Sequence, residues 1–311
     1  MSAPSLVAVA STLPPAADID RYAGRVNEAW RPSGPDLVHA GDNLPFMRQL
    51  PDGAFALAYL DPPFNTGLFR QAERVRGTRA ERGAPGGRLG FRGQGYAVTR
   101  ERTLAFDDRF VDYWEFLEPR VEEAWRLLAP DGTLYLHLDY REVHYAKVLL
   151  DGLFGPERFI NEIIWAYDYG ARARRRWPAK HENILVYVKD PGAYFFDAEA
   201  VDREPYMAPG LVTPERAARG KLPTDTWWHT IVSPTGRERT GYPTQKPLGV
   251  LRRILQASSR PGDWVLDAFA GSGTTGAAAA ELGRRFVLVD ENPEAIEVMR
   301  GRFADRPVRF S

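Results

Sequence analysis

The sequence is that of an α/β protein, built on a doubly wound, mostly parallel sheet with helices on both faces and a small insert lobe. Three observations predict it. Short apolar runs alternate with amphipathic stretches of helical period, the pattern of strand–helix–strand units. Phe55-Ala-Leu-Ala-Tyr-Leu60 is apolar throughout, as in a strand covered on both faces. Four of the runs end at or just before an aspartate: Asp42, Asp61, Asp267 and Asp290. No internal repeat is present.

Residues 1–35 form the first segment, rich in Ala, Pro and Ser, and are expected to be a flexible N-terminal arm with one short helix near Ile19 to Trp30. The first strand is Leu37 to Ala40 and the second Phe55 to Leu60. After Asp61, about forty residues dominated by Arg and Gly lack either period and are expected to form a long loop. A helix is expected over Tyr113 to Leu128, then a Pro130-Asp-Gly132 turn and the strand Thr133 to Leu138. A helix from Glu142 to Leu153 follows. Phe159 to Trp165 and Asn183 to Val188 are expected as adjacent strands flanking the basic turn Ala171 to Trp177. Residues 190–242 lack periodicity and are expected as the insert. The core resumes with a helix over Leu248 to Ser258, a strand Trp264 to Asp267, a helix Thr274 to Leu282, a strand Arg285 to Asp290 and a helix Pro293 to Phe303. The organisation is then an arm, a core from 36–189 and 243–311, and an insert between.

The chain has 311 residues, room for one large α/β domain with an insertion. Its 41 Lys+Arg balance 41 Asp+Glu, so any surface for a polyanion must come from local clustering. The absence of cysteine excludes disulfides, thiolate-bound metal and a Cys nucleophile. Leu6 to Ala10 is too short for the apolar core of a signal peptide, and 18 apolar residues nowhere run together. A soluble cytoplasmic protein with no membrane partner is expected.

Val265-Leu-Asp-Ala-Phe-Ala-Gly-Ser-Gly-Thr-Thr-Gly276 is a strand, a small-residue turn and a helix start, which brings a ligand close to backbone amides. The Gly271-x-Gly273-x-x-Gly276 spacing also fits a dinucleotide turn, but only 21 residues follow Asp290, too few for the remaining strands. A phosphate-cradling loop is disfavoured because Ala277 stands where its lysine should be. The third candidate, S-adenosylmethionine, carries positive charge and two ribose hydroxyls, which suit acids. Asp267 and Asp290 are candidates for its methionine and ribose portions, and Asp42 for its adenine amine. Taken singly, each acid is better read as a cap of the next helix.

Leu60-Asp-Pro-Pro-Phe-Asn-Thr-Gly67 places a carboxylate, a rigid proline pair and an aromatic ring at the C-terminal end of a buried strand, where open α/β sheets bind ligands. An exocyclic base amine is a poor nucleophile because its lone pair is delocalised. The Asp61 carboxylate and the Pro62 carbonyl can accept both its N–H bonds, Pro63 stiffens the turn, and Phe64 can stack on the base. The structural alternative is a strand-ending turn with a core phenylalanine.

These motifs, with Leu136-His-Leu-Asp139, Asn161-Glu-Ile-Ile-Trp165, His181-Glu-Asn-Ile-Leu185 and Thr244-Gln-Lys-Pro247, resemble those of the amino-group DNA methyltransferases that act on N6-adenine or N4-cytosine. The similarity spans most of residues 36 to 303 and is to the permuted class, in which the catalytic motif precedes the cofactor motif. Ala268 stands where such motifs usually have proline. The resemblance implies a Rossmann-like S-adenosylmethionine-dependent methyltransferase fold, with Asp61, Pro62, Pro63 and Phe64 catalytic. It implies a cofactor site of Asp42, Asp267, Phe269, Gly271, Gly273, Thr274, Thr275 and Asp290, and double-stranded DNA as substrate. Target recognition falls to the insert. Lys246 reaches cofactor or backbone, or is a surface lysine.

In such enzymes an acidic first residue goes with adenine N6 and serine with cytosine N4, so Asp61 favours adenine, with cytosine N4 the alternative. Either amine must be flipped out of the duplex. Arg172, Arg174, Arg175 and Arg176, with Arg70, Arg74, Arg76, Arg79, Arg82, Arg88 and Arg92, are candidate DNA contacts or else solvated charge. Trp227 and Trp228 are wedges or lobe packing. His181 and Glu182 lack metal-ligand spacing, so no metal is expected. A homodimer and a separate restriction endonuclease stay open as partners. Methylation of RNA or of a protein glutamine amide, and an inactive DNA-binding regulator, are the rival functions.

Overall fold

A computed structural model describes residues 30–65, 68–79, 87–89, 95–108, 113–170, 172–233 and 236–311, the segments between 68 and 108 by their backbone. The expected arm up to residue 29, with its short helix, lies outside the described residues, as do Arg82 and Arg92.

The strands are β1 (Asp36–Ala40), β2 (Phe55–Leu60), β3 (Leu68–Arg79), β4 (Gly87–Leu89), β5 (Gly95–Asp108), β6 (Leu128–Leu138), β7 (Phe159–Ala166), β8 (His181–Val188), β9 (Thr226–Trp228), β10 (Trp264–Asp267), β11 (Arg285–Asp290) and β12 (Val308–Phe310). The helices are α1 (Asn43–Met47), α2 (Tyr113–Leu127), α3 (Val143–Phe154), α4 (Pro214–Arg219), α5 (Leu248–Ser258), α6 (Thr274–Glu281) and α7 (Pro293–Arg302). Nine strands form one sheet in the order β12-β1-β11-β10-β2-β6-β8-β7-β9. Every neighbouring pair is parallel except β6 with β8 and β8 with β7, so β8 alone runs against the rest.

Period-2 alternation divides the strand side chains between two cores. In β2, Ala58 and Leu60 join the core under α1, α2 and α3, whereas Leu57 and Tyr59 join the core under α5, α6 and α7. Helix spacing supplies the matching faces: Leu117, Val121 and Ala124 of α2 on one side, and Val250, Leu251, Ile254 and Leu255 of α5 on the other. The fold is the expected doubly wound α/β sheet.

Two local expectations are corrected and two short elements are new. The segment expected as a long loop after Asp61 holds β3, β5 and β4, an antiparallel sheet in which Leu68 pairs with Asp108 and Arg79 with Tyr96. Cross-strand pairing satisfies backbone groups whatever the side chains are, and a composition-based reading cannot see a partner 17 to 40 residues away. Pro130-Asp131-Gly132 does not end an element but lies within β6, between the Leu128 pairing with Phe55 and the Thr133 pairing with Leu57. The short α1 and the three-residue β12 had no periodic signal because each is too short to show one.

In the parallel part of the sheet all C-terminal strand ends lie on one edge. The adjacent strands β1, β11, β10, β2 and β6 deliver Asp42, Asp290, Asp267, Asp61 and Asp139 there, in that spatial order. Because β8 is reversed, its first residues reach the same edge, with Asn183 beside Leu138 and Glu182 beside Trp165.

Helix α6 approaches β11 closely through Gly276, where an added Cβ would lie 2.6 Å from Leu288 Cδ1 and 3.0 Å from Phe303 Cζ. Both neighbours are buried. Gly276→Ala is therefore expected to destabilise the protein by about 1–3 kcal/mol through overpacking, despite alanine's better helix propensity, as measured by denaturant titration.

Candidate active site

The sheet edge opens into a cleft of about 1690 Å³. Asp61, Pro62, Pro63 and Phe64 line it, as do Asp42, Asp267, Phe269, Gly271, Thr275, Asp290 and Lys246 of the expected cofactor set. Gly273 and Thr274 do not. Gly273 supplies the left-handed turn before α6 at φ 72°, and Thr274 is buried against Ser272 and Arg302.

Asp42, Asp267 and Asp290 face the cleft together, but only Asp42 caps the helix that follows it; Gly273 and Asn292 cap α6 and α7, and Asp267 and Asp290 instead hold the turns before them. Asp42 accepts the Leu44 N–H at 3.0 Å as the N-cap of α1 and pairs with Arg120 at 2.8 Å. Arg120 also donates to Asn43, whose amide donates to the Ala268 carbonyl at 2.6 Å, tying the first strand end to the glycine turn. Asp267 accepts from the Phe269 N–H at 3.0 Å and the Thr275 hydroxyl at 2.6 Å. Asp290 accepts from the Gly271 N–H at 2.7 Å and the Asn292 N–H at 2.9 Å.

A carboxylate has about four acceptor sites, so two bonds leave each acid capacity for a ligand. Burial pushes Asp267 up to about 7 and Asp290 up to about 6, and no cation among the described residues offsets it. Two buried acids held this way suit a ligand bearing positive charge and hydroxyls better than a phosphate. Gly271, at φ 51°, keeps the turn open: a Cβ there would come within 3.2 Å of Tyr242. Phe269 and Phe116, with ring centroids 6.0 Å apart, add an aromatic wall.

On the other side of Asp267, Asp61 closes β2 and Pro62 is buried behind it. The chain then turns through Asn65, at φ 50°, whose amide donates to Glu142 at 3.0 Å. Lys246 is not a surface lysine. Its side chain is 12% exposed, and Nζ lies 3.1 Å from Asp61 Oδ2, 3.2 Å from Glu182 Oε2 and 4.7 Å from the centre of the Phe64 ring. Burial raises the Asp61 carboxyl, and Lys246 limits the rise. Burial works against the Glu182 charge too, but Lys246 and His137 outweigh it and hold Glu182 down at about 2. Both carboxylates hold Lys246 above the ordinary ammonium range against burial.

Sequence reasoning missed Glu182 as an active-site group, and missed His137 and Tyr59 behind it. The available signal was an ionisable residue inside an otherwise apolar strand, His137 in Leu134 to Leu138 and Glu182 at the head of β8. Only the reversed direction of β8 brings them together.

The basic turn stands at the cleft mouth. Arg172 and Arg176 line the cleft; Arg174 and Arg175 are exposed beside it. Trp177 is 94% exposed. Of the tryptophan pair in the insert, Trp227 is buried, with its indole donating to Thr224 at 2.7 Å, and Trp228 is exposed. The strand arginines between 68 and 92 are described by their backbone.

Residues 55–300 match the profile of a family described as DNA methylase. The chain is 30% identical over 270 residues to the DNA adenine methyltransferase YhdJ of Escherichia coli (strain K12), covering 84% of this chain and 80% of that one. It is 33% identical over 193 residues to the type II methyltransferase M.HpaI of Haemophilus parainfluenzae; this match covers 62% of the chain but 60% of the relative, less than two thirds of its length. The fold resembles the crystal structure of the M1.HpyAVI–SAM complex, with a TM-score of 0.54 at 20% identity, covering 86% of this chain and 98% of that one.

The raised Asp290 carboxyl links stability to pH. In the unfolded chain it ionises near 3.8, in the folded protein near 6, so between these values unfolding releases a proton and folded stability falls as pH rises. Thermal denaturation of the ligand-free protein is expected to show wild type losing on the order of 1–3 kcal/mol relative to Asp290→Asn between about pH 4 and 7.

Proposed function

This chain belongs to the DNA methylase family of amino-group enzymes, and from that premise we propose that it methylates the N6 amine of adenine in double-stranded DNA, using S-adenosylmethionine. The observation that carries the reading is the adjacency of β2 and β10. It sets the Asp61-Pro-Pro-Phe64 turn beside the Asp267 and Gly271 turn in one cleft, although the two lie about two hundred residues apart in sequence. The order of the two motifs in the chain supports the permuted class. Asp61, as an acid and not a serine, supports adenine, in line with the similarity to YhdJ, a DNA adenine methyltransferase.

When bound, S-adenosylmethionine supplies a methyl group on a positively charged sulfur. Asp267 and Asp290, buried with neutral donors, hold its charged and hydroxyl groups, and Phe269 and Phe116 offer its adenine a wall. Asp61 and the Pro62 carbonyl accept the two N–H bonds of the target amine, which directs its lone pair toward the donor. Phe64 stacks on the base, offsetting part of the few kcal/mol needed to flip it out of the duplex. The nucleophile belongs to the substrate, so no covalent enzyme intermediate forms. The arginines of the 171–177 turn hold phosphates at the cleft mouth, and residues 190–242 read the target sequence.

Asp61→Ala is expected to lower methyl incorporation into DNA by at least about 100-fold while cofactor binding, measured by calorimetry, persists. Wild-type incorporation by that variant would remove Asp61 from its role. Single-molecule sequencing of DNA from an expressing host is expected to show N6-methyladenine at one sequence context; N4-methylcytosine would replace adenine as the target base. Label transferred to RNA or protein in place of DNA would overturn the substrate.

Replacing Arg172, Arg174, Arg175 and Arg176 by alanine is expected to flatten the salt dependence of DNA affinity, by about one unit of slope for each phosphate no longer neutralised. An unchanged slope would leave them as solvated charge.

A further inference from the structure

The clamp as described leaves Glu182, His137 and Tyr59 without a task, yet they form a continuous chain behind it. The Tyr59 hydroxyl lies 2.6 Å from His137 Nδ1, and His137 Nε2 lies 2.9 Å from Glu182 Oε2. That same oxygen is 3.2 Å from Lys246 Nζ, which is 3.1 Å from Asp61 Oδ2. His137 is completely buried, and Trp165 packs edge-on against its ring. Both ring nitrogens thus face a polar partner, Nδ1 the Tyr59 hydroxyl and Nε2 the Glu182 carboxylate. Tyr167 donates a further hydrogen bond to Glu182 Oε1 at 3.3 Å. Glu182 is thus anchored, and one ammonium is shared by two carboxylates, lying against the Phe64 ring where the target amine must approach.

Removing either partner would unbalance the site. Without Glu182 the ammonium has Asp61 as its remaining carboxylate partner, and neutralises and occupies the oxygen the substrate needs. Without Lys246 two carboxylates face each other in a dry site, and one takes up a proton. We propose that Glu182, anchored by His137 and Tyr59, is a positioning residue that draws the Lys246 ammonium partly off Asp61, so that Asp61 stays ionised yet free to accept the substrate amine. The inference rests on Asp61 being the amine acceptor.

The charged and titratable groups facing Asp61 are Lys246, His137 and Glu182, with Tyr59 on its own strand, Asp267 on β10 and Tyr242 from the segment before α5. Lys246 lowers its titration and Glu182 raises it. The two variants therefore act in opposite directions on Asp61, and the loss of rate with a shifted acid limb separates positioning from a merely structural role.

The test is an infrared titration of the ligand-free full chain labelled with ¹³C-carboxyl aspartate, the Asp61 band being identified by its loss in Asp61→Asn. Glu182→Gln is expected to move the Asp61 midpoint to lower pH and Lys246→Met to higher pH, each by about one unit. Glu182→Met carries the same expectation should the glutamine variant fail to fold. In methyl transfer to DNA, Glu182→Gln is expected to lower kcat about 10- to 100-fold and shift the acid limb of the rate profile downward, with Glu182→Asp recovering most of the rate. Midpoints that move in the same direction, or an Asp61 band unmoved by loss of the Glu182 charge, overturn the inference. Opposite shifts in a chain that transfers no methyl group to any DNA would uphold the charge sharing and sink the functional reading instead.

Discussion

Five neighbouring parallel strands place aspartates along one sheet edge, and the protein must hold that negative charge in a largely buried cleft. The same edge receives Glu182 from the reversed strand. The burden is met in two ways. Asp42 and Asp61 receive a cation, from Arg120 and Lys246 respectively, whereas Asp267 and Asp290 receive neutral donors from the turns that follow them. An ammonium 3.1 Å from a carboxylate is worth about 5 kcal/mol of attraction at an effective dielectric constant near 20, against several kcal/mol of desolvation for each ion. The balance is close enough for one additional carboxylate to change the state of the pair.

That division matches the chemistry on each side of the cleft. The half with neutral donors is complementary to a positively charged donor of the methyl group. On the proposed function the half with a cation faces a neutral amine, for which an acceptor must be ionised but not saturated. The glycine turn joins the two: Gly271 lets Asp290 take a backbone N–H at 2.7 Å, and Gly276 lets α6 settle on β11, which keeps that turn at the strand ends. Asn43, Arg120 and Ala268 lock the first strand end to the same turn.

Much of this was legible in the residue order. Helices and strands of eight residues or more outside the 65–108 region were apparent from their period, and the Asp61-Pro-Pro-Phe64 and Asp267-to-Thr275 segments announced acceptors and a backbone cradle. What escaped was whatever depends on a partner distant in sequence. The β3–β5 pairing was hidden by arginine and glycine, Lys246 read equally as a contact to cofactor or backbone and as a surface lysine, and Glu182 and His137 looked like isolated polar residues in apolar strands.

The sequence by itself determined which residues bring acid, ring and flexible backbone to strand ends, because side-chain period and turn chemistry are local properties. Tertiary structure alone decided the order of those ends along their shared edge, Asp42, Asp290, Asp267, Asp61, Asp139, and that Lys246 lies between two carboxylates. Both follow from strand order and strand direction, above all the reversal of β8, and these are set by how two hydrophobic faces of one sheet are covered at once.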